Sequence, residues 1–365
     1  MAIVVGNNPI IKLVKLQEDS YIQESCTELR IKSIAVDQKN TIFKINRGTL
    51  TSTPNKKVNT YITGQEPIDI TLETYVHPLF IPTATYSSSE RFLWDSLTGI
   101  NSILSISKYI VSFKNNTNKL KRLNIYFELD KTIYGLYECV VTEAKIDLNI
   151  NTIPTISWKL VGRSLSPSTG VTFSGICLDY KSNMFLRNKL SVLNAQRISD
   201  FREYNIPIIN GSITFKNDVG FQTRTRLGRY TMPESHYISS RDTYGELEIY
   251  LSSLSGGVNN SLVLYDDIIN YPDKNTFYKI DLWIGGNNGI DPNMYLSFPA
   301  IKLEIPQSTL NIPVSMTIPF HAEETSSGLN DDVKINYNPE YYDPKIRDDA
   351  GNIINDDNSN NILED

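Results

Sequence analysis

The chain has 365 residues, 40% hydrophobic and 21% charged, with a formal net charge of −6, which suits a globular protein of two compact units and excludes a fibrous or wholly disordered one. The charge is placed unevenly: residues 325–365 hold ten acids and three bases, a balance of −7, and residues 1–324 are nearly neutral at +1. A strongly basic surface for gripping a nucleic-acid backbone is therefore not expected.

Along the chain, alternation of apolar and polar residues with period two dominates, the mark of strands with one buried and one wet face. A glycine-led strand is expected from Gly48 to Thr53, then a basic connection over 53–65 carrying Lys56 and Lys57, then a strand over 68–76 (IDITLETYV). Ser87 and Glu90 have capping-box spacing for a short helix whose Leu93 and Leu97 share a face and which Gly99 can close. Strands follow over 122–129 (RLNIYFEL) and 145–150 (KIDLNI), and a linker over 163–210 containing SLSPSTG. Beyond it come a strand at 210–214, a long connection over 217–242 with Arg224, Arg226, Arg229 and His236, and a strand over 245–251. A second short helix is predicted over 262–270, stopped by Pro272, and strands over 278–284 and 301–305, with Gly285 to Gly289 read as a hairpin turn.

The two halves carry these elements in one order, which predicts an internal duplication. Residues 47–51 answer 210–214, 71–76 answer 246–251, and 93–95 with Leu97 answer 264–266 with Ile268. Residues 123–129 then answer 277–283, and 143–148 answer 300–305. The expected boundaries are 1–165 and 166–324 for two modules and 325–365 for an acidic tail. Trp94 and Tyr265, at matching helix positions, are the expected anchors of each helix on its sheet.

Catalytic chemistry is scarce. His77, His236 and His321 are scattered, and surface or structural roles are expected for them. Cys26, Cys139 and Cys177 lie far apart with no CxxC pair, which suggests a reducing compartment and neither a disulfide framework nor a zinc site. No catalytic, cofactor-binding or metal site is predicted. The N-terminus has no basic region followed by a long apolar core, and no run of about 18 apolar residues occurs, so neither export nor a membrane span is expected. Asp69, Thr71 and Glu73 share one strand face, as do Glu246 and Glu248, opposite a core face of Ile70, Leu72, Leu247 and Ile249; on periodicity alone this is a solvated sheet face.

With these elements in place, the chain resembles the major tail tube proteins of long-tailed bacteriophages, of the duplicated kind in which one chain carries two tube modules. The likeness covers roughly residues 25–324 and is carried by Gly48 to Thr53, Gly64 to Pro67 leading into 68–78, the helix around Trp94, and residues 125–162. In the second half it is carried by 188–191, 210–215, 245–251 and 299–320.

The resemblance implies a mainly-β fold of two tandem β-sandwich or split-barrel modules, each with one short flanking helix. It implies a non-enzymatic virion protein, assembled in the host cytoplasm, that stacks as trimeric, pseudo-hexameric rings into a hollow tail tube. The implied partners are further copies of itself, the tape-measure protein, the tail terminator and distal tail proteins, and double-stranded DNA that passes without specific binding. In this reading Asp69, Thr71, Glu73, Glu246, Glu248, Lys145 and Lys302 line the lumen, and Lys56, Lys57, Arg224, Arg226 and Arg229 meet the adjacent ring. The alternative is a two-domain β-sandwich binding or adhesion protein, for example a carbohydrate-binding one, with the 21 tyrosines as stacking surfaces. A hydrolase on an all-β scaffold is a third reading.

Overall fold

A computed structural model of the chain describes residues 2–5, 10–16, 23–46, 58–77, 88, 90–104, 109–113, 119–129, 131–167, 186–206, 208–223, 233–251, 260–270, 276–286, 293–309, 315–326 and 330–338. The first half contains β1 (Ala2–Val5), β2 (Ile10–Leu16), β3 (Gln23–Arg30), β4 (Ser33–Asp37), β5 (Asn40–Asn46), β6 (Val58–Gln65), β7 (Ile68–Tyr75), α1 (Arg91–Thr98), β8 (Ile103–Leu104), β9 (Tyr109–Val111), β10 (Leu123–Leu129), β11 (Thr132–Asn149), β12 (Thr155–Gly162) and β13 (Ser164–Pro167). A single 3-10 turn (Asn188–Leu190) leads into β14 (Val192–Arg197), β15 (Glu203–Ile206), β16 (Ile208–Thr223), β17 (Pro233–Tyr250), α2 (Ser261–Asn270), β18 (Tyr278–Ile284), β19 (Asn293–Leu303), β20 (Gln307–Thr309), β21 (Ser315–Glu323) and β22 (Lys334–Asn338). Among the described residues the fold is mainly β with two short helices, as the alternation predicts.

Eight strands form one antiparallel path in the order β4–β7–β12–β11–β16–β17–β21–β19. β11 is long enough to serve two layers. Its first part pairs with β10 and β13, and through β10 with β2 and β3, while its second part is held between β12 and β16. In the second half β19 pairs with β18, which continues to β14 and β15. The order β4–β7–β12–β11–β10, with α1 between β7 and β10, is thus matched by β16–β17–β21–β19–β18, with α2 between β17 and β18. Among the described residues no pairing closes the combined sheet.

One apolar cluster lies beneath both halves, including Ile70, Leu72, Trp158, Ile146, Phe215, Leu247 and Phe320. Trp94 and Trp158 are its largest members: Trp94, fully buried, meets Trp158 edge-on at 4.8 Å and Phe215 at 5.9 Å, and its indole N–H donates to the Tyr337 hydroxyl at 2.9 Å. Gly245 is required by close approach, since a Cβ there would lie 2.4 Å from the Ser212 carbonyl oxygen and 2.8 Å from the Phe320 ring. α1 ends as predicted on Gly99 in the left-handed region (φ 78°). It begins at Arg91 with buried Glu90 at its N-cap, accepting from Ser88; Ser87 lies outside the described residues. α2 holds Leu264 and Ile268 in the core, and Tyr265 is only half-buried against it.

Several expectations are corrected. The connections over 53–65 and 217–242 are largely strand: β5 and β6 form one hairpin, and β16 and β17 run as another through 15 paired positions. Local polarity marked these segments as loops, but ladder hydrogen bonds satisfy the backbone of a projecting hairpin equally well. The paired counterpart of residues 210–214 is β4, because β4 borders β7 as β16 borders β17; the expected strand over 48–53 lies outside the described residues. The 163–210 linker contains β13, β14, β15 and the start of β16, with β14 in register on β18.

The 325–365 segment also differs from a mere appendage. Val333, Ile335 and Tyr337 are buried, and β22 lies between β19 and β9, joining the two halves. Its apolar alternation outweighs the surrounding acidity. Asp332, 6% exposed, accepts from Arg241 and, at 2.8 Å, from the Thr243 hydroxyl; Arg241 also donates to the Phe113 carbonyl at 2.8 Å. Asp332→Ala should cost about 3 kcal/mol by leaving a largely buried guanidinium unpaired, measurable by chemical denaturation against Asp332→Asn.

Candidate functional site

Apolar side chains of the eight-strand path face the core, so polar ones must share the other surface. Register places them in rows across both halves. One row runs Ser33, Glu73, Ser157, Lys145, Thr214, Tyr244, His321 and Lys302; the next runs Ala35, Thr71, Lys159, Glu143, Lys216 and Asp242. A third runs Tyr75, Thr155, Asp147, Ser212, Glu246 and Pro319. Asp69 and Asp37 are paired beside these rows at one end and Glu248 at the other. All seven residues assigned to the lumen by resemblance, Asp69, Thr71, Glu73, Lys145, Glu246, Glu248 and Lys302, therefore lie on one surface. Sequence reasoning missed Asp37, Glu143, Asp147, Lys159, Lys216, Asp218, Asp242 and Glu323 on this face, although the alternation at 143–149 carries the same signal.

The surface is acidic. At its outward positions ten carboxylates (Asp37, Asp69, Glu73, Glu143, Asp147, Asp218, Asp242, Glu246, Glu248, Glu323) face four lysines (Lys145, Lys159, Lys216, Lys302). Ion pairs join Lys145 to Asp147 (3.0 Å), Lys159 to Glu143 (2.7 Å) and Lys302 to Glu323 (2.6 Å), and Lys32 reaches Glu73 from the edge (2.7 Å). The Ser212 hydroxyl donates to Glu246 (3.4 Å) and that of Ser315 to Glu248 (3.0 Å). Such exposed pairs are each worth at most about 1 kcal/mol. Their effect is to hold the lysines down among carboxylates, so an approaching polyanion meets negative charge.

The histidines do not converge on a reacting centre. His77 Nδ1 lies 2.9 Å from buried Glu90, and His321 Nε2 lies 3.4 Å from Glu304. His236 stands on β17 rather than in a loop, and its Nε2 accepts the Leu120 N–H at 3.0 Å. Among the described residues no group of three or more His, Cys, Asp or Glu could hold a metal ion, and no helix is long and apolar enough to cross a membrane. Lys56, Lys57, Arg224, Arg226 and Arg229 lie outside the described residues.

Burial first, and Arg122 next, hold the His236 imidazole below its usual 6.5, and its acceptor role requires the neutral ring. The stabilisation is therefore present above about 6.5 and is lost as pH falls through the lower folded value. Stability should drop more steeply from pH 7 to pH 5 in the native chain than in His236→Gln, as followed by urea denaturation across that range.

No family model matches the chain. The tail tube protein pb6 of Escherichia phage T5 is 27% identical over 239 residues, which cover 63% of this chain and 49% of that protein. The chain is a homologue of a phage tail tube protein. It spans about half the length of the curated relative it matches, and the shared stretch exceeds the length of either half alone.

Proposed function

We propose that the chain is a structural, non-enzymatic component of the phage virion tail, polymerising into the hollow tail tube. The observation that carries this reading is the polar face carried from the first half to the second by the β11–β16 ladder, seven paired positions from Glu143↔Lys216 to Asn149↔Asn210. Each half acts as one tube module, residues 1–165 and 166–324, with the 325–365 segment contributing a strand that ties them together. Repetition of the internal joint between copies turns an open sheet into a closed barrel, which removes edges that would otherwise pair indiscriminately.

Because one chain supplies two modules, three chains supply a pseudo-sixfold ring, and rings stack into the tube. The polar face lines the lumen, where its carboxylates let DNA and the tape-measure protein pass without sticking, the reverse of a basic nucleic-acid groove. The hairpins β5–β6 and β16–β17, with the basic residues Lys56, Lys57, Arg224, Arg226 and Arg229 between their strands, reach the adjacent ring. Tail terminator and distal tail proteins cap the two ends.

Negative-stain microscopy of purified full-length protein should show rings or tubes with a central channel and threefold mass per ring. A discrete monomer at all concentrations and salt conditions would overturn the reading in favour of a binding module.

A further inference from the structure

The two joints of the proposed ring are not equally available. Within the chain, β16 has β17 on one side and receives β11 on the other. Its counterpart β4 has β7 on one side, but the other side is already taken by β1, through Ala2↔Asp37, Ile3↔Val36, Val4↔Ala35 and Val5↔Ile34. The edge that corresponds to the second part of β11 is the end of β19 continued by β20, both paired with β21 on their other side, and it is this edge of another copy that an equivalent joint would seat there. β1 therefore sits where a neighbouring subunit is needed.

We propose that β1 is a removable edge cap: it covers β4 in the unassembled chain and is displaced by the β19–β20 edge of the next copy when the ring closes. This deepens the tube reading and rests on it. The lengths of the two ladders favour exchange, since β1 offers four paired positions and the internal β11–β16 joint has seven. Retention of β1 would insert an extra strand at every chain-to-chain joint and none at the internal joint, destroying the equivalence of the two modules around the barrel. A short covering strand also answers the general hazard of an exposed edge, which templates uncontrolled pairing before the correct partner arrives.

The test is a reversible tether. Ile3→Cys with Val36→Cys places two thiols at directly paired positions, so that oxidation locks β1 onto β4 and reduction frees it. Assembly is followed by light scattering and negative stain, with the native chain under the same oxidising conditions as control. The expected result is at least a tenfold slower assembly of the oxidised variant, restored by reduction. A second full-chain variant, Ile3→Pro with Val4→Pro, weakens β1 by removing the N–H that faces β4 at whichever of these two alternating positions carries it, and its lag should shorten severalfold. Equal assembly rates for locked, freed and native protein would overturn the edge cap and leave the tube reading standing. Failure of the native chain to form rings or tubes at all would overturn both.

Discussion

Trp94→Ala should destabilise the protein by about 3–5 kcal/mol, the range for truncating a buried tryptophan, and lower the melting temperature by about 4–7 °C in a chain of this size. The size of the effect follows from where the side chain sits. Its ring contacts Trp158 of the first half and Phe215 of the second, and its indole N–H is satisfied by Tyr337 of the C-terminal strand. Removing it opens a cavity and orphans the packing of three segments at once. Tyr337→Phe removes the acceptor of that N–H together with the hydroxyl's hydrogen bond to Ser88, with an expected cost of about 1–3 kcal/mol for the unpaired buried N–H. Chemical denaturation with near-ultraviolet circular dichroism separates the outcomes. A loss below about 1 kcal/mol for Trp94→Ala would mean that α1 is not pinned between the halves as described.

Neutralising the face should instead spare the fold and damage the conduit. Asp69→Lys, Glu246→Lys and Glu248→Lys together change the outward positions from ten carboxylates and four lysines to seven of each, a shift from −6 to 0 per chain. These positions are exposed or half-exposed, so each substitution should alter stability by no more than about 0.5 kcal/mol and tubes should still assemble. Lysines repeated around every ring would bind passing phosphates through counterion release. Ejection of DNA from phage carrying the variant should slow at least tenfold at low salt and recover as salt rises. Unchanged ejection from normal tubes would show that this face does not line the channel.

The legible part of the molecule was its alternation. IDITLETYV, GELEIYL and YKIDLWI announce strands because each residue type reports locally which side of a pleat is wet, and β7, β17 and β18 follow. The end of α1 was legible for a related reason, since Gly99 needs a left-handed conformation wherever the helix packs; its start was not, because the helix begins at Arg91 with Glu90 at the N-cap and no side-chain capping bond, where a capping box from Ser87 was expected. The connections over 53–65 and 217–242 were misread because polarity reports exposure alone, and a ladder forms between polar strands as readily as between apolar ones. β22 was hidden in acidic surroundings, where five alternating residues weigh little against ten acids.

What the sequence determined by itself is the period of each strand, the segregation of charge, and the matching order of elements in the two halves, all properties of neighbours along the chain. Tertiary structure alone decided which strands meet: that β11 passes the sheet to β16, that Glu73, Lys145 and Lys302 fall in one row, that β1 covers β4, and that residues 334–338 bridge the halves. The physical reason is that backbone pairing is nearly indifferent to side-chain identity. Partner choice is set by which buried surfaces fit around Trp94 and Trp158, and that sum runs over residues hundreds of positions apart.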